Sequence, residues 1–263
     1  MQIKSGERVS LKKIDPSDTG DFRSAEEAEP HLKKQLDELI KLENLLYAEN
    51  RHALLIILQG MDTSGKDGTI RHVMSGLSPL GVEVKAFKGP TEEELSHDFL
   101  WRIHKALPRK GHIGIFNRSH YEDVLVVRVH DLVPRKVWKY RYEQINQFEK
   151  MLVKNNVIVL KFFLHISKGE QKRRLEQRLA DPTRYWKFSM HDIEERQYWS
   201  DYRKAYEDVL RRCNTSHAPW HIVPADHKWH RNLVVAETIV QTLRDLKMEY
   251  PPPSVDISKV TVE

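Results

Sequence analysis

Apolar and polar positions divide the chain into two kinds of segment. Short apolar runs have the length of buried strands, and longer segments space apolar side chains three and four residues apart, as amphipathic helices do. The predicted strands are 53–59, 82–87, 111–116, 157–166 and 220–224. The predicted helices are 24–50, 70–76, 91–107, 134–155, 167–180, 190–213 and 229–248. Because helices separate successive strands, we expect an α/β fold with a parallel sheet and right-handed crossovers.

The first fifty residues have a pattern of their own. Residues 1–23 mix charged side chains with Gly, Pro, Ser and Asp, which is typical of an extended arm. The helix 24–50 carries an apolar stripe that needs a partner, either the central sheet or a second subunit. The length of 263 residues favours a single domain over 1–263. Within it we expect an N-terminal arm and helix at 1–50 and helices of a lid at about 168–213.

Composition and charge narrow the class of protein. Hydrophobic residues make up 40% of the chain and charged residues 31%, as in ordinary soluble proteins. The net charge of +5 fits a polyanionic partner but is small for this length, so we expect no nucleic-acid partner. Cys213 is the single cysteine, which excludes a disulfide framework and fits a reducing compartment. The polar start and the absence of an apolar run of 18 residues predict a cytoplasmic protein without a membrane partner.

A glycine-rich stretch follows the first predicted strand. It has the pattern Gly60-x-x-x-x-Gly65-Lys66 and precedes a predicted helix, which is the setting of a phosphate-binding loop. The glycines let several backbone N–H groups point at one anion, and the helix adds the positive end of its dipole. Lys66 supplies a mobile positive charge. A glycine-rich turn without a ligand is the alternative.

Acidic residues in this stretch indicate a divalent cation. Asp67 stands where such loops usually carry Ser or Thr, and Asp62 lies in the same loop. Two carboxylates among phosphate-binding amides make sense when a cation screens them, and a carboxylate is a stronger Mg²⁺ ligand than a hydroxyl. We therefore predict that Asp62 and Asp67 hold Mg²⁺, with Mn²⁺ as an alternative. A second role open to Asp62 is to orient or deprotonate the attacking group.

The third predicted strand ends in a second group of polar residues. Asn117 and Arg118 follow it, at the edge where ligands bind in open α/β sheets. Many phosphate-loop proteins place a Mg²⁺-directed carboxylate here, whereas Asn117 offers an amide that can bond to a metal-bound water. Glu122 or Asp123 could supply the missing charge, although a solvated acidic turn is the alternative. Arg118 suits a bidentate contact to phosphate.

A third, basic stretch spans residues 168–187. It carries seven cations against three carboxylates. Arg174 and Arg178 are four residues apart, so they share a helix face and can present two guanidinium groups to a row of phosphates. A solvated helix surface is the alternative. Because the stretch follows a strand that ends at the predicted site, and includes the aromatic turn 181–188, we interpret it as a lid that excludes water.

Together the three stretches resemble one known family. The likeness lies in 60–69 (GMDTSGKDGT), 116–125 (FNRSHYEDVL) and 174–188, with its Arg-x-x-x-Arg, Asp-Pro and Trp-Lys-Phe elements. They occur in the order of the polyphosphate kinase 2 family, and the similarity covers nearly the whole chain. The combination of Asn117 and Glu122 resembles the class III branch, which is associated with phosphorylating nucleoside mono- and diphosphates from inorganic polyphosphate. Other branches carry Asp and a non-acidic residue at these two positions.

The resemblance implies a fold and a set of site residues. The fold is a three-layer P-loop kinase fold of the thymidylate-kinase type, a parallel sheet flanked by helices with a helical lid. The implied catalytic residues are Asp62, Lys66, Asp67, Arg118 and Arg178. The implied phosphate- and polyphosphate-binding residues are Gly60, Thr63, Ser64, Gly65, Lys66, Gly68, Thr69, Arg118, Arg174, Arg178 and Lys187. The implied nucleotide-binding residues are Asn117, Arg118 and Glu122.

The resemblance also implies a reaction and its partners. The terminal phosphoryl group of inorganic polyphosphate passes to AMP or ADP in a reversible, Mg²⁺-dependent step, so AMP, ADP and ATP are expected partners, with guanine nucleotides as an alternative. A homo-oligomer, dimer or tetramer, is expected as well. Two other functions stay open. One is an ATP-dependent nucleotide or small-metabolite kinase, against which Asp67 counts. The other is a non-catalytic polyanion-binding module.

Overall fold

A computed structural model describes residues 2–3 and 9–262 of the chain, so the predicted N-terminal arm falls partly outside the described residues. The strands are Ala53–Gln59 (β1), Val82–Ala86 (β2), Ile113–Asn117 (β3), Val157–His165 (β4) and Trp220–Pro224 (β5). The α-helices are Ala25–Glu49 (α1), Lys66–Val73 (α2), Glu92–Leu95 (α3), Trp101–Lys105 (α4), Val126–Val129 (α5), Arg135–Lys154 (α6), Lys168–Leu179 (α7), Met190–Glu195 (α8), Trp199–Arg212 (α9) and Lys228–Asp245 (α10). The 3₁₀ turns are Leu11–Lys13, His120–Val124, Pro182–Lys187, Arg196–Tyr198 and Ile257–Lys259.

The strands form one sheet in the order β2-β3-β1-β4-β5, and every pairing is parallel. β1 lies in the middle, and all its residues are buried. A strand covered on both faces reads as a continuous apolar run, which is why Ala53–Gln59 could be recognised in the sequence. The parallel sheet flanked by helices confirms the predicted three-layer, P-loop kinase-like fold class.

Each face of the sheet has its own core. On one face Leu54 packs in a cluster with Leu39 of α1 and Val235 of α10. On the other face Leu55 packs in a cluster with Ile145 of α6 and residues of α9. α1 and α10 are neighbours in space. The apolar stripe of α1 is therefore covered within its own subunit, by the sheet and α10.

The predicted helix 91–107 is wrong in its middle, where two short helices replace it. The capping box that opens it is confirmed, because Glu94 N donates to Thr91 Oγ1 at 3.2 Å and Thr91 N donates to Glu94 Oε2 at 2.9 Å. Leu100 N donates to Asp98 Oδ1 at 2.9 Å, a local bond that competes with continuation of the first helix. The predicted helix 190–213 is likewise divided, by the 3₁₀ turn Arg196–Tyr198 between α8 and α9.

The topology brings three chain segments to one edge of the sheet. Because the strands are parallel, the residues that follow β1, β3 and β4 emerge at their common carboxyl edge. The register places Leu58 beside Asn117, and Gln59 beside Phe163. The glycine-rich stretch, the segment after β3 and the start of α7 therefore lie next to one another.

A buried ion pair ties the middle of the sheet to α6. Lys161 of β4 lies 2.6 Å from Glu149 Oε2 and donates to Tyr121 OH at 2.9 Å and to Cys213 O at 2.7 Å. Lys161 and Glu149 are both fully buried, so each needs the other as a charge partner. His120 Nε2 lies 3.2 Å from the second oxygen of Glu149. This network fixes the start of the turn His120–Val124, which carries Glu122.

Across the described part of the chain, no helix has both the length and the apolar character needed to cross a bilayer.

Candidate active site

The phosphate loop (residues 60–69) connects β1 to α2 through a tightly wound backbone. The angle φ is +154° at Gly60, +62° at Thr63 and +104° at Gly65. Glycine adopts such values readily, whereas a Cβ opposes them. A Cβ on Gly60 would also stand 2.7 Å from Leu164 O. The loop therefore requires both glycines of the predicted motif.

Lys66 lies at the end of this loop with its ammonium group turned back over it. Its Nζ donates to Gly60 O at 2.9 Å and to Met61 O at 3.3 Å. These bonds use two of its three N–H donors and leave one for an anion in the loop. Burial and then the charge of Arg118 lower the pKa of Lys66, while the carboxylates of Asp62 and Glu122 raise it.

Two hydroxyl groups of the loop have no partner. Thr63 Oγ1 and Ser64 Oγ are buried and make no hydrogen bond within the described residues. A buried polar atom left unpaired costs about 1–3 kcal/mol. These hydroxyls therefore fit an anion that enters the loop and accepts their hydrogen bonds.

Two residues at the start of α2, Gly68 and Thr69, are predicted to contact phosphate, and they differ in their available hydrogen-bond donors. Gly68 lies in the first turn, where backbone N–H groups have no acceptor inside the helix. Thr69 differs, because its N–H and its hydroxyl both donate to Gly65 O, at 2.9 and 3.1 Å. The predicted phosphate contact of Thr69 stays a prediction, and it would require the hydroxyl to leave Gly65 O.

Arg174 of α7 is hydrogen-bonded to the backbone of the phosphate loop. It is only 7% exposed. Its N–H groups donate, at 2.6–3.1 Å, to one carboxylate and four backbone carbonyls, those of Glu170, Thr63, Ser64, Ala225 and Asp226. An arginine has five N–H donors, so none is left for a phosphate. In this structure Arg174 fixes the loop, and its contact with a row of phosphates beside Arg178 stays a prediction.

Arg231 of α10 also contacts the loop, although no motif in the sequence marks it. It is 2% exposed, and Nη1 donates to Ser64 O at 3.3 Å. Burial and the neighbouring Arg174 lower its pKa to about 9. No carboxylate of the described residues forms an ion pair with it. Its charge therefore adds to the positive potential at the loop.

The two loop carboxylates each contact a residue of the segment after β3. Arg118 Nη2 donates to Asp62 Oδ1 at 2.8 Å, and Asn117 Nδ2 donates to Asp67 Oδ1 at 2.7 Å. Arg118 has a left-handed backbone, with φ of +63°, directly after β3. Burial would lower its pKa, but the carboxylates of Glu122 and Asp62 raise it above the ordinary value. The two motifs thus meet as the sequence predicts.

A cavity of about 590 Å³ opens beside the phosphate loop. Asp62, Arg118 and Glu122 contribute polar atoms to its wall. Apolar and aromatic side chains supply much of the wall, namely Phe87, Leu95, Val126, Val127, Leu132, Val133, Trp199, Tyr202 and Tyr206. Further charged and polar side chains line it as well, among them Arg102, Asp192 and Glu195. Such a cavity, apolar in part and with convergent polar groups, has the character of a small-molecule site.

Glu122 and Asp123 differ from the solvated turn that the sequence left open. Burial raises the pKa of Glu122, and the charges of Arg118 and Lys66 partly offset this. Burial likewise raises the pKa of Asp123 to about 6, although Arg141 Nη1 donates to its Oδ1 at 3.1 Å. Both carboxylates line the cavity, and Asp123 is also held by Arg141 of α6.

The predicted lid cations Arg178 and Lys187 occupy different settings. Arg178 Nη1 donates to Asp192 Oδ2 at 3.1 Å and to Lys187 O at 3.4 Å. Asp192 lines the cavity, and burial followed by the charge of Asp62 raises its pKa. Lys187 is exposed, and its Nζ lies 4.9 Å from the ring centre of Trp186. Arg178 thus reaches the cavity only through Asp192, and Lys187 makes no contact with the phosphate loop.

Sequence patterns also missed Asp192 and Gln171. Gln171 Nε2 donates to Asp62 O at 2.9 Å, and Arg196 Nη1 donates to Gln171 Oε1 at 2.6 Å. A signal for Gln171 was available, because it lies one helical turn before Arg174 on the helix that follows the site. No sequence signal marks Asp192 or Arg196, since both lie beyond the aromatic turn 181–188.

Comparisons with known proteins agree with this geometry. The family model described as polyphosphate kinase 2 (PPK2) matches residues 23–251. The chain is 49% identical to an AMP/ADP-polyphosphate phosphotransferase of Meiothermus ruber, over 100% of this chain and 98% of that protein. It is 46% identical to an ADP-polyphosphate phosphotransferase of Rhodopseudomonas palustris, over 95% of this chain and 91% of that protein.

Solved structures give the same assignment. A crystal structure of polyphosphate kinase 2 from Arthrobacter aurescens matches with a TM-score of 0.94 and 41% identity, covering 98% of this chain and 92% of that one. Sequence likeness and fold likeness therefore extend over the whole molecule. The chain belongs to the polyphosphate kinase 2 family.

Proposed function

We propose that this protein transfers the terminal phosphoryl group of inorganic polyphosphate to AMP and ADP, forming ADP and ATP. The observation that carries the proposal is the meeting of Asp62 and Asp67 with Arg118 and Asn117 at the mouth of an anion-binding loop. Phosphoryl transfer requires positioned phosphates and stabilised charge more than covalent chemistry. The names of the relatives from Meiothermus ruber and Rhodopseudomonas palustris support this reaction.

The two loop carboxylates fit a divalent cation. Each uses one oxygen to accept a hydrogen bond and keeps Oδ2 for another partner. Mg²⁺ commonly takes one or two carboxylates together with substrate phosphates. No cluster of three or more His, Cys, Asp or Glu suited to a metal occurs in the described residues, so the phosphates would complete the shell. We propose that Asp62 and Asp67 hold Mg²⁺ or Mn²⁺, which when bound neutralises charge on the phosphate oxygens.

The remaining residues bind and orient the reacting groups. An oxygen of the acceptor phosphate forms a bond to the terminal phosphorus, and the bond to the next phosphate of the chain breaks. The attacking oxygen already carries negative charge, so a residue that deprotonates it is not required. Asp62 then orients Arg118, while Lys66, Arg118 and Arg178 stabilise the moving group. Both bonds are phosphoanhydrides, which makes the step reversible.

The cavity suits the nucleotide. Its apolar and aromatic wall can hold a base, and Glu122 with Arg118 stands where the acceptor phosphates enter. The combination of Asn117 and Glu122 supports the class III acceptor range, mono- and diphosphates alike. Guanine nucleotides are an alternative acceptor. A homo-oligomer and a cytoplasmic location are further parts of the proposal.

The decisive experiment omits ATP. Purified protein is given Mg²⁺ and long-chain polyphosphate with ADP, and in parallel with AMP. Formation of ATP from ADP, and of ADP from AMP, is the expected result. No product from polyphosphate, together with phosphoryl transfer from ATP to another small acceptor, would favour an ATP-dependent kinase. Binding of polyphosphate without any turnover would favour a polyanion-binding module.

A further inference from the structure

The two edge strands of the sheet differ in whether another segment of the chain pairs with their outer side. At the β5 edge Gln2 forms an antiparallel bridge with His221, and Ile3 N donates to Trp220 O at 3.1 Å. At the β2 edge no strand within residues 2–3 and 9–262 pairs with the outer side. Four of the five residues of Val82–Ala86 are exposed. Such an edge offers unpaired N–H and C=O groups to another chain.

The hydrogen bonds to β3 show which residues of β2 face outwards. Ile113 N donates to Gly81 O at 2.8 Å, and Phe87 N donates to Asn117 O at 3.0 Å. Backbone groups alternate in direction along a strand, so the odd-numbered residues of β2 bond to β3. The N–H and C=O groups of 82, 84 and 86 therefore point away from the sheet.

We propose that β2 pairs with β2 of a second copy of this chain, antiparallel, about a two-fold axis at Val84. Two-fold dimers are the commonest soluble homo-oligomers, and they require a surface that is complementary to itself. In this register the two Val84 residues exchange both backbone hydrogen bonds. Val82 of each copy stands opposite Ala86 of the other, so all the outward groups of the strand are used.

Charge complementarity selects this register. Glu83 and Lys85 flank Val84, so each Glu83 stands opposite Lys85 of the other copy, at the closer, non-hydrogen-bonded positions. Opposite charges there favour pairing, and like charges oppose it. A lysine alone on an edge strand would discourage association. A parallel, in-register pairing would instead place Glu83 against Glu83 and Lys85 against Lys85.

Exposed apolar side chains extend the surface beyond the strand. Val84 is 54% exposed, Leu80 73% and Tyr47 of α1 49%. A Cβ on Gly81 would stand 3.5 Å from the ring of Tyr47, so Tyr47 and Leu80 flank the start of β2. Stable interfaces bury about 1,200–2,000 Å² in total, more than a five-residue strand supplies. Val84, Leu80 and Tyr47 therefore add apolar area to the interface beyond the area that the strand itself buries.

Charge exchange tests the register directly. In Glu83→Lys the axis brings lysine against lysine, and in Lys85→Glu it brings glutamate against glutamate. Light scattering should give a wild-type mass at least twice the 31.0 kDa of one chain. Each single variant should raise the dissociation constant roughly tenfold or more. The double variant should restore the wild-type mass, and so should an equimolar mixture of the two single variants.

Controls separate this pairing from other contacts. Glu29→Lys reverses a charge at an exposed position of α1 and should keep the wild-type mass. Amide exchange at Val84 should be slow in the wild type and in the mixture, and fast in each single variant. Circular dichroism confirms that all variants fold. A monomeric wild type, single variants that associate as tightly as the wild type, or a mixture that stays monomeric would each overturn the proposal.

Discussion

Arg231 lies so close to Gly65 that no side chain fits between them. A Cβ on Gly65 would overlap Nη1 of the guanidinium group, and the same atom donates to Ser64 O at 3.3 Å. The last long helix of the protein therefore supports the phosphate loop at the point where the loop enters α2. Gly65 is required for this contact as well as for its backbone angle.

The first prediction follows from that contact. Gly65→Ala should lower kcat at least about 100-fold, because the loop must move away from both Arg231 and its present φ, and a displacement of about 1 Å can cost this much. The matched control is Gly169→Ala in α7, where the nearest atom to a new Cβ is Ser167 Oγ at 3.9 Å. The control should keep wild-type kcat and should not lower the melting temperature, because alanine favours a helix over glycine. Wild-type kcat in Gly65→Ala would show that the loop tolerates displacement.

A second prediction separates Arg174 from Arg178. Arg174→Met leaves four carbonyls and Glu170 without their donor, so we expect a loss of roughly 3 kcal/mol in the free energy of unfolding. Arg178→Ala removes one contact to Asp192 at the cavity and should leave stability nearly unchanged. Its kcat should fall by roughly 100- to 1,000-fold. Urea unfolding and steady-state kinetics on both variants give the comparison, and an active Arg178→Ala enzyme would show that Arg178 does not stabilise the transferred group.

A third prediction concerns the choice of acceptor. Glu122→Asn should impair AMP phosphorylation more than ADP phosphorylation, because AMP has one phosphate fewer with which to bind and depends more on the cavity wall. Glu143→Asn is the matched control, since Glu143 lies at an exposed position of α6 and does not line the cavity. The measurement is kcat/KM for both acceptors in each variant. Equal losses for AMP and ADP in Glu122→Asn would leave Glu122 without a selective role.

A fourth prediction concerns the pH dependence of stability. Burial lowers the pKa of His221 from 6.5 to about 4, so the folded protein binds fewer protons than the unfolded chain between these values. Stability contributed by the neutral imidazole is therefore present above pH 6.5 and lost as the pH falls towards 4. We expect this part of the loss to be roughly 2 kcal/mol after allowing for solvent screening.

His221→Gln should remove that part of the pH dependence. Urea unfolding at pH 7 and at pH 4.5 gives the difference for the wild type and for the variant. His97→Gln, at an exposed position, serves as the control and should behave like the wild type. An equal difference in the wild type and in His221→Gln would mean that burial does not keep His221 neutral.

The parts of the fold that could be predicted depend on neighbouring residues. The strand before Gly60, the glycine spacing and Lys66 form one local pattern, and the structure places them as expected. The meeting of Asp67 with Asn117 could also be anticipated, because parallel strands end at a common edge. The break at Asp98 could not, since a side chain bonding to a backbone group two residues ahead leaves no trace in apolar spacing.

The remainder of the site depends on depth and on distant segments. The spacing of Arg174 and Arg178 places them on one face of α7, but it does not say that the start of this helix lies beneath the phosphate loop. Arg231 comes from α10, and no spacing rule connects it with Gly65. Positions of this kind are decided by packing between elements, which a single sequence does not record.

The buried position of Lys161 limits how this protein can be recombined with its relatives. An ammonium group in the middle of a sheet is tolerable only while Glu149 of α6, Tyr121 and the carbonyl of Cys213 surround it. A chimera that takes β4 from one parent and α6 from another could therefore leave the Lys161 ammonium group without a charge partner in the hydrophobic interior. Crossover points for family shuffling should keep residues 120–161 on one parent.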